Sequence, residues 1–404
     1  IISSHNWFIS VLAFILTDVG LTMFGVIITS KFGGNVNALC EKVSRPFAVI
    51  FGTLCMIAIG PLLAIPRTAA TTYEIFAVPI FGNSVPPLAS SIVFFGVTLF
   101  FVLNESSTMD RVGKILTPIL LIMIFLIVIK AILTPIGSFA KVPQQNFFLI
   151  GFNEGYQTMD ALASLAFGII VINAIRSVGV KDERHLVSST IKAGMTAGVI
   201  LMAIYLMLGY LGATSAELFK DAPNINGAEL LSRISGHYFG KAGVLVLGSA
   251  FFLACITTTL GLISSASEYF EELTGGRIKY KIWVAAWCLI GFGVANFGLT
   301  TIIKGSIPVL VAIYPIAIML IILSLINPLI DSSKLIYRTC VYVCVVVGTI
   351  NGLDIAGVSV PLVTDLVKKL PFYDSMLGWI VPSAVAFAVT YILHLVLEKR
   401  ENTF

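Results

Sequence analysis

The chain has 404 residues, 57% of them hydrophobic and only 11% charged, with a formal net charge of +4. A soluble domain averages roughly 25% charged residues, so this composition excludes a water-soluble enzyme or binding module and defines an integral membrane protein. The small basic excess does not imply a nucleic-acid partner, because the Lys and Arg residues lie in short loops between apolar runs.

A membrane span needs about 20 apolar residues. On that criterion eleven spans are predicted, at 6–30, 46–65, 88–104, 112–134, 156–175, 190–212, 243–267, 282–303, 306–327, 336–353 and 376–397. The first carries Asp18 in ILTDVGLT. A carboxylate at that depth is costly and faces protein or water, as a cation ligand, a proton relay or a protonated hydrogen-bond donor to a neighbouring helix. The second runs into IGPLLAIPRTA at 59–69, where Pro61 and Pro66 loosen the backbone. Arg67 is expected near the outer surface, either snorkelling to headgroups or closing an outer-gate ion pair.

Long connections are predicted at 66–87, 135–155 and 213–242, with 354–375 nearly as long. The last contains PLVTDLVKKL, a candidate short surface helix.

The fifth span is the most informative. Its middle, ALASLAFG at 161–168, is apolar but brings small residues and Ser164 up to a helix-weakening glycine. Loosened backbone is tolerated in a bilayer only where protein or a water-filled cavity satisfies its amides and carbonyls. Such discontinuous helices supply substrate and ion sites in secondary transporters. The plain alternative is an unbroken helix whose small residues admit a close neighbour. Asp160 lies near the outer start of this span, where the helix dipole favours an acid.

Span 243–267 contains ACITTTLGLISSASEYF, with Thr257, Thr258 and Thr259 consecutive. Threonines in membrane helices ordinarily back-bond to the preceding turn. Beside a free carbonyl, the same hydroxyls offer neutral oxygens suited to a monovalent cation. The six cysteines, Cys340 and Cys344 included, read as small apolar residues and not as a disulfide framework or metal site. No HExxH, GxSxG or P-loop pattern occurs, so an enzyme is not expected.

Positive charge sets orientation. With a cytoplasmic C-terminus, the inner loops hold 16 of the 25 basic residues, from Lys31 to Arg400. An odd span count then puts Ile1 outside, and the economical expectation is an earlier span preceding this sequence.

The motifs GYQTMDALASLAFGIIVINAIR at 155–176, IGPLLAIPRTA at 59–69, FLACITTTLGLISSASEYF at 252–270 and GGNVNALCEKVSRPFAVIF at 33–51 together resemble the bacterial branched-chain amino acid:cation symporters, the BrnQ-type carriers. The resemblance covers essentially the whole chain. It implies uptake of leucine, isoleucine and valine across the bacterial cytoplasmic membrane, with sodium or protons as the coupling ion and no other cofactor. It also implies an all-α fold of the leucine-transporter (LeuT) type, with two inverted five-helix repeats and two accessory helices. On that scheme 1–134 holds four spans of the first repeat, whose first helix precedes the sequence. Residues 135–155 form an external connection, 156–327 the second repeat, and 328–404 the accessory pair and cytoplasmic tail.

Residue by residue, SLAFG at 164–168 resembles the unwound midpoint of the sixth helix of that fold. The implied substrate contacts are Ala161, Ser164, Leu165, Ala166, Phe167 and Gly168, with freed backbone holding the zwitterion and Phe167 at the side chain. ACITT resembles the eighth-helix sodium motif, implying Ala254, Thr257 and Thr258 as cation ligands. A gating, proton or cation role is open to Asp18, Arg67 and Asp160. A same-fold carrier of another solute is the rival reading. An intramembrane enzyme or a channel fits less well.

Overall fold

The computed structural model describes residues 6–32, 34, 36–104, 108–139, 146–166, 168–177, 179–180, 182–215, 218 and 225–401. Every extended regular element among them is a helix. In hydrocarbon each backbone N–H and C=O must be satisfied within its own segment, and a helix does this without partners.

Among the described residues, six helices are long and apolar enough to cross a membrane: Trp7–Lys31, Arg45–Phe81, His185–Thr214, Gly227–Leu273, Leu299–Leu325 and Lys334–Ile355. A seventh is added if Phe147–Ala166 and Ile170–Ser177, bent by 54°, are one broken span. Shorter apolar helices of 10–17 residues occupy Pro87–Leu103, Thr117–Leu133, Tyr280–Ala295 and Ile380–Val396, where the sequence predicts further spans. Large apolar side chains such as Ile92, Val199, Leu289 and Ile392 are exposed. So extensive an apolar surface suits lipid rather than water.

Several boundaries differ from the sequence expectation. The helix predicted to end at residue 65 continues to Phe81, a run of 37 residues. At 1.5 Å per residue that is about 55 Å, well beyond the ~30 Å hydrocarbon layer. The run is therefore not straight: Gly60 leaves helical geometry at ψ −114°, just before Pro61, and a second loosened turn spans Tyr73–Ala77. Arg67 consequently sits in mid-helix and half-buried, not in a loop beyond a span end. Likewise Gly227–Leu273 is divided at Gly240 (φ 60°, ψ −151°), backbone that only glycine adopts cheaply. Residues 227–239 thus lie in what the sequence presents as a connection. Asn226 starts this helix by accepting from the Glu229 amide at 3.0 Å. The short helix Val363–Val367 falls within PLVTDLVKKL, as expected.

The chain forms two compact units. The first comprises 1–11, 56–147 and 203–305. One of its cores gathers Ile65, Phe94, Phe95, Ile256, Ile263 and Val284, and another Ile127, Leu211, Leu230 and Leu247. Phe270, Trp283 and Trp287 pack together with centroids 4.9–5.0 Å apart.

The second unit comprises 12–55, 148–202 and 306–404. Here Leu21–Lys31 packs on Asp160–Ala166, and Lys334–Ile355 packs on Ile380–Glu401. Polar contacts secure both ends of the 334–355 helix. At one, Arg338 Nε donates to the Val43 carbonyl at 2.7 Å, while Lys42 Nζ donates to Asn327 Oδ1 at 2.8 Å. At the other, Asp354 takes Lys368 at 2.9 Å and the Tyr373 hydroxyl at 3.0 Å. Burial, and then the Asp354 carboxylate, push the Tyr373 phenol up to about 12, so it remains a donor at neutral pH. All six cysteines are free and five are buried, in keeping with their reading as small apolar residues.

Candidate functional site, an interrupted helix

The stretch from Phe147 to Ser177 consists of three helical pieces, Phe147–Tyr156, Asp160–Ala166 and Gly168–Ser177. The interruption at 157–159 was not anticipated from the sequence. Its turn is tight: Gln157 and Thr158 donate to the carbonyls of Glu154 and Gly155, three residues back, at 3.2 and 3.3 Å. The Thr158 hydroxyl takes the Gly155 carbonyl as well, at 2.8 Å. Met159 then has φ +72° while only 4% exposed. For a residue with a Cβ that conformation costs on the order of 1 kcal/mol or more, so surrounding packing has to hold it. A usable signal was present in GYQTMD: a glycine, a threonine able to compete for a backbone carbonyl, and an acid suited to a helix start.

Where the sequence placed its site, Phe147–Ala166 and Ile170–Ser177 meet at a bend of 54°. Ser164, Leu165 and Ala166 are helical, so the backbone does not unwind from Ser164 onward. Phe167 lies outside the described residues, and Gly168 opens the next helical piece. Of the predicted substrate set, Ala161, Ser164, Leu165, Ala166 and Gly168 are all buried. The Ser164 hydroxyl donates to the Ala161 carbonyl at 2.7 Å, and the Ser164 carbonyl accepts from the Thr29 hydroxyl at 3.4 Å.

Glycines let the first described span lie directly on this interrupted stretch. A Cβ on Gly25 would come within 3.0 Å of Ser164 Cβ, and one on Gly168 within 2.8 Å of Thr29 Cβ. Farther along, a Cβ on Gly155 would lie 2.6 Å from the Phe14 backbone oxygen. There Thr17 bridges the two helices, its hydroxyl donating to the Phe152 carbonyl at 3.1 Å. Asp18 follows in a widened helical turn, Leu16–Gly20, and is 1% exposed. Asp160 opens the central helical piece and is half-buried, as an acid at a helix start should be. The sequence named Asp18 and Asp160 separately; the fold brings their helical turns together.

The predicted cation ligands lie in the first unit, on an unbroken stretch of Gly227–Leu273. Thr257 donates its hydroxyl to the Ala254 carbonyl at 2.9 Å, so two of the three named oxygens already meet. Thr258 is exposed, while Thr259 is fully buried and shares a hydrogen bond with Thr68 at 2.7 Å. Thr257 and Thr259 therefore follow the ordinary back-bonding pattern, with Thr259 reaching the Cys255 carbonyl at 2.8 Å.

An all-helical membrane chain, with a long apolar stretch interrupted inside the protein, has the anatomy of a multi-pass transporter. The Branch_AA_trans family model, described as branched-chain amino acid transport protein, matches residues 1–397. Over 408 residues the chain is 41% identical to the branched-chain amino acid permease BraB of Bacillus subtilis, covering 99% of this chain and 91% of that one. It is 38% identical to the branched-chain amino acid transport system 2 carrier protein of Pseudomonas aeruginosa, covering 98% and 90%. It is 35% identical to the permease BrnQ of B. subtilis, covering 98% and 92%.

The chain belongs to the branched-chain amino acid transport protein family. It is a transporter and not an enzyme.

Proposed function

We propose that the protein imports leucine, isoleucine and valine as a secondary symporter, driven by an inward sodium or proton gradient. It works by alternating access in the bacterial cytoplasmic membrane, with eleven spans in this chain and its C-terminus on the cytoplasmic side. The arrangement is LeuT-like, with 1–134 and 156–327 as inverted repeats, 135–155 connecting them, and 328–404 as accessory helices and tail. No cofactor beyond the coupling ion takes part.

The observation that carries this reading is the interruption at 157–159 together with the 54° bend between Phe147–Ala166 and Ile170–Ser177, inside otherwise apolar sequence. Backbone polarity freed there can replace water around the ammonium and carboxylate of a small zwitterion. Ala161, Leu165 and Ala166 supply an aliphatic surround, which suits a branched hydrocarbon side chain. One methylene changes affinity by only about 1–3 kcal/mol, so the three substrates share one site. Ala254, Thr257 and Thr258 are assigned to the coupling cation, Arg67 to gating. Coupling follows if ion and substrate each prefer particular conformations, because an indifferent ligand shifts no equilibrium.

The test is uptake of labelled leucine into proteoliposomes under separately imposed sodium and proton gradients. Isoleucine and valine should compete, while basic and acidic amino acids should not. Accumulation indifferent to both gradients would remove symport; failure of leucine to accumulate at all would remove the substrate class.

A further inference from the structure

Asp18 is the buried carboxyl that the transport reading leaves without a task. It sits at 1% exposure in the widened turn Leu16–Gly20, where the backbone departs from regular α-helical spacing. Leaving a charge there is expensive, so evolution of such a position requires a proton, a partner or a function. The turn packs against Asp160–Ala166, immediately after the left-handed Met159.

A third element closes the cluster. Tyr314, from Leu299–Leu325, is 0% exposed. Its ring lies 4.4 Å from that of Tyr156, the last residue before the 157–159 interruption. Asp160 and Asp18 are both close enough to act electrostatically on its phenol. Thr158 and the Ala161 backbone lie near the same hydroxyl, yet it completes no hydrogen bond of good geometry. A buried phenol on which two carboxyls act is able to donate to whichever of them is ionised.

The titratable groups near Asp18 include Asp160, from the helix packed on its turn, and Tyr314, from 299–325. Its own helix contributes none between Trp7 and Ser30. Like charges brought into one low-dielectric place repel each other, so a proton is an occupant that suits the site. A metal ion is a poorer occupant. The hydroxyl of the adjacent Thr17 is turned to the carbonyls of Ala13, Phe14 and Phe152 at 3.1–3.2 Å. No group of three His, Cys, Asp or Glu side chains suited to a metal occurs among the described residues.

We propose that Asp18, beside Asp160 and Tyr314 at the 157–159 interruption, is the carboxyl that takes up and releases the coupling proton, the Ala254, Thr257 and Thr258 oxygens being left to a sodium ion. This deepens the symport reading and rests on it. Only an O–H bond forms and breaks. The proton arrives from the side of higher proton activity and leaves on the other. Tyr314 donates a hydrogen bond to the ionised cluster, and its shared contact with Tyr156 ties protonation to the conformation of the broken helix. A change at Asp18 is thereby felt where the helix is interrupted, which is what coupling demands.

The experiment has two arms, run on the purified protein and on the Asp18→Asn and Tyr314→Phe variants. First, infrared difference spectroscopy without substrate follows the carbonyl stretch of protonated carboxyls through a pH titration. The wild type should lose such a band as pH rises, Asp18→Asn should lack it, and Tyr314→Phe should move its midpoint. Second, leucine accumulation under an inward proton gradient should fall at least tenfold in Asp18→Asn at matched melting temperature. The same titrating band in Asp18→Asn, no titrating band in the wild type, or undiminished proton-driven accumulation would each overturn the proposal. Loss of the wild-type band on adding sodium at constant pH would also overturn it, by assigning the site to sodium. Should Asp18→Asn fail to fold, an unmoved midpoint in Tyr314→Phe decides against it and a moved one in favour. Absence of leucine transport in the wild type sinks the substrate reading alone, since the first arm uses no substrate.

Discussion

Two long apolar stretches in this chain handle backbone polarity in opposite ways. Residues 147–166 break at 157–159, holding Met159 in a left-handed conformation, and bend by 54° against Ile170–Ser177. Residues 241–273 run on without a break, and their polar side chains turn inward on the helix: Thr257 bonds Ala254 and Thr259 bonds Cys255. Both stretches are rich in small and hydroxylated residues. The difference lies in what meets them. At the broken stretch, Gly25 and Gly155 bring two helices close enough for Thr17 and Thr29 to take up carbonyls of the other helix, at Phe152 and Ser164. At the continuous stretch the hydroxyls find their own preceding turn and a partner hydroxyl on Thr68. A break thus persists where a neighbouring helix supplies replacement hydrogen bonds.

Three substitutions would break or sharpen this contrast. The largest effect is expected from Gly155→Ala, because the added Cβ meets the Phe14 backbone oxygen at 2.6 Å and backbone cannot rotate aside. Overpacking of this kind costs about 1–3 kcal/mol, visible as a lower melting temperature together with lost leucine uptake. A variant as stable and active as the wild type would show that the close approach at the break is dispensable.

A smaller loss, about 1 kcal/mol, should follow Thr259→Val, which deletes the buried bond to Thr68 and leaves that hydroxyl to its local carbonyl. The Thr68→Val, Thr259→Val double variant should cost less than the two single changes summed, and strict additivity would deny the pair any coupling.

Smallest in stability is Thr258→Ala. The side chain is exposed, so melting should stay within about 0.5 kcal/mol of wild type. Its expected signature is weakened sodium stimulation of uptake, and unaltered sodium dependence would withdraw Thr258 from the cation assignment.

Much was legible before any coordinates. Apolar run length is a local property, and nearly every predicted span contains an apolar helix. The exceptions are instructive. Arg67 reads as a span end because a cation after two prolines resembles an interface, yet the helix absorbs Pro61 by a distorted turn at Gly60 and continues to Phe81. Gly240 lies in a stretch that reads as a connection, yet helix runs on either side of it.

Ser164 reads as the start of unwound backbone; it is helical because its hydroxyl and carbonyl both find partners. Phe167, the aromatic assigned to the substrate side chain, lies outside the described residues. The break at Gln157–Met159 is only weakly signalled by GYQTMD, whose glycine, threonine and acid mark a helix boundary without requiring one.

Composition and hydrophobic run length therefore determined, unaided, that this chain inserts in a bilayer as helices, and its motifs carried the family. Where those helices open, and which polar groups share the opening, was decided only in three dimensions. Transfer of an apolar run into lipid sums over its own residues, whereas an interruption survives only if atoms from distant positions replace the hydrogen bonds it gives up. Phe14 beside Gly155, Thr29 beside Ser164, and Asp18 and Tyr314 beside Asp160 are such meetings, and no local pattern announces them.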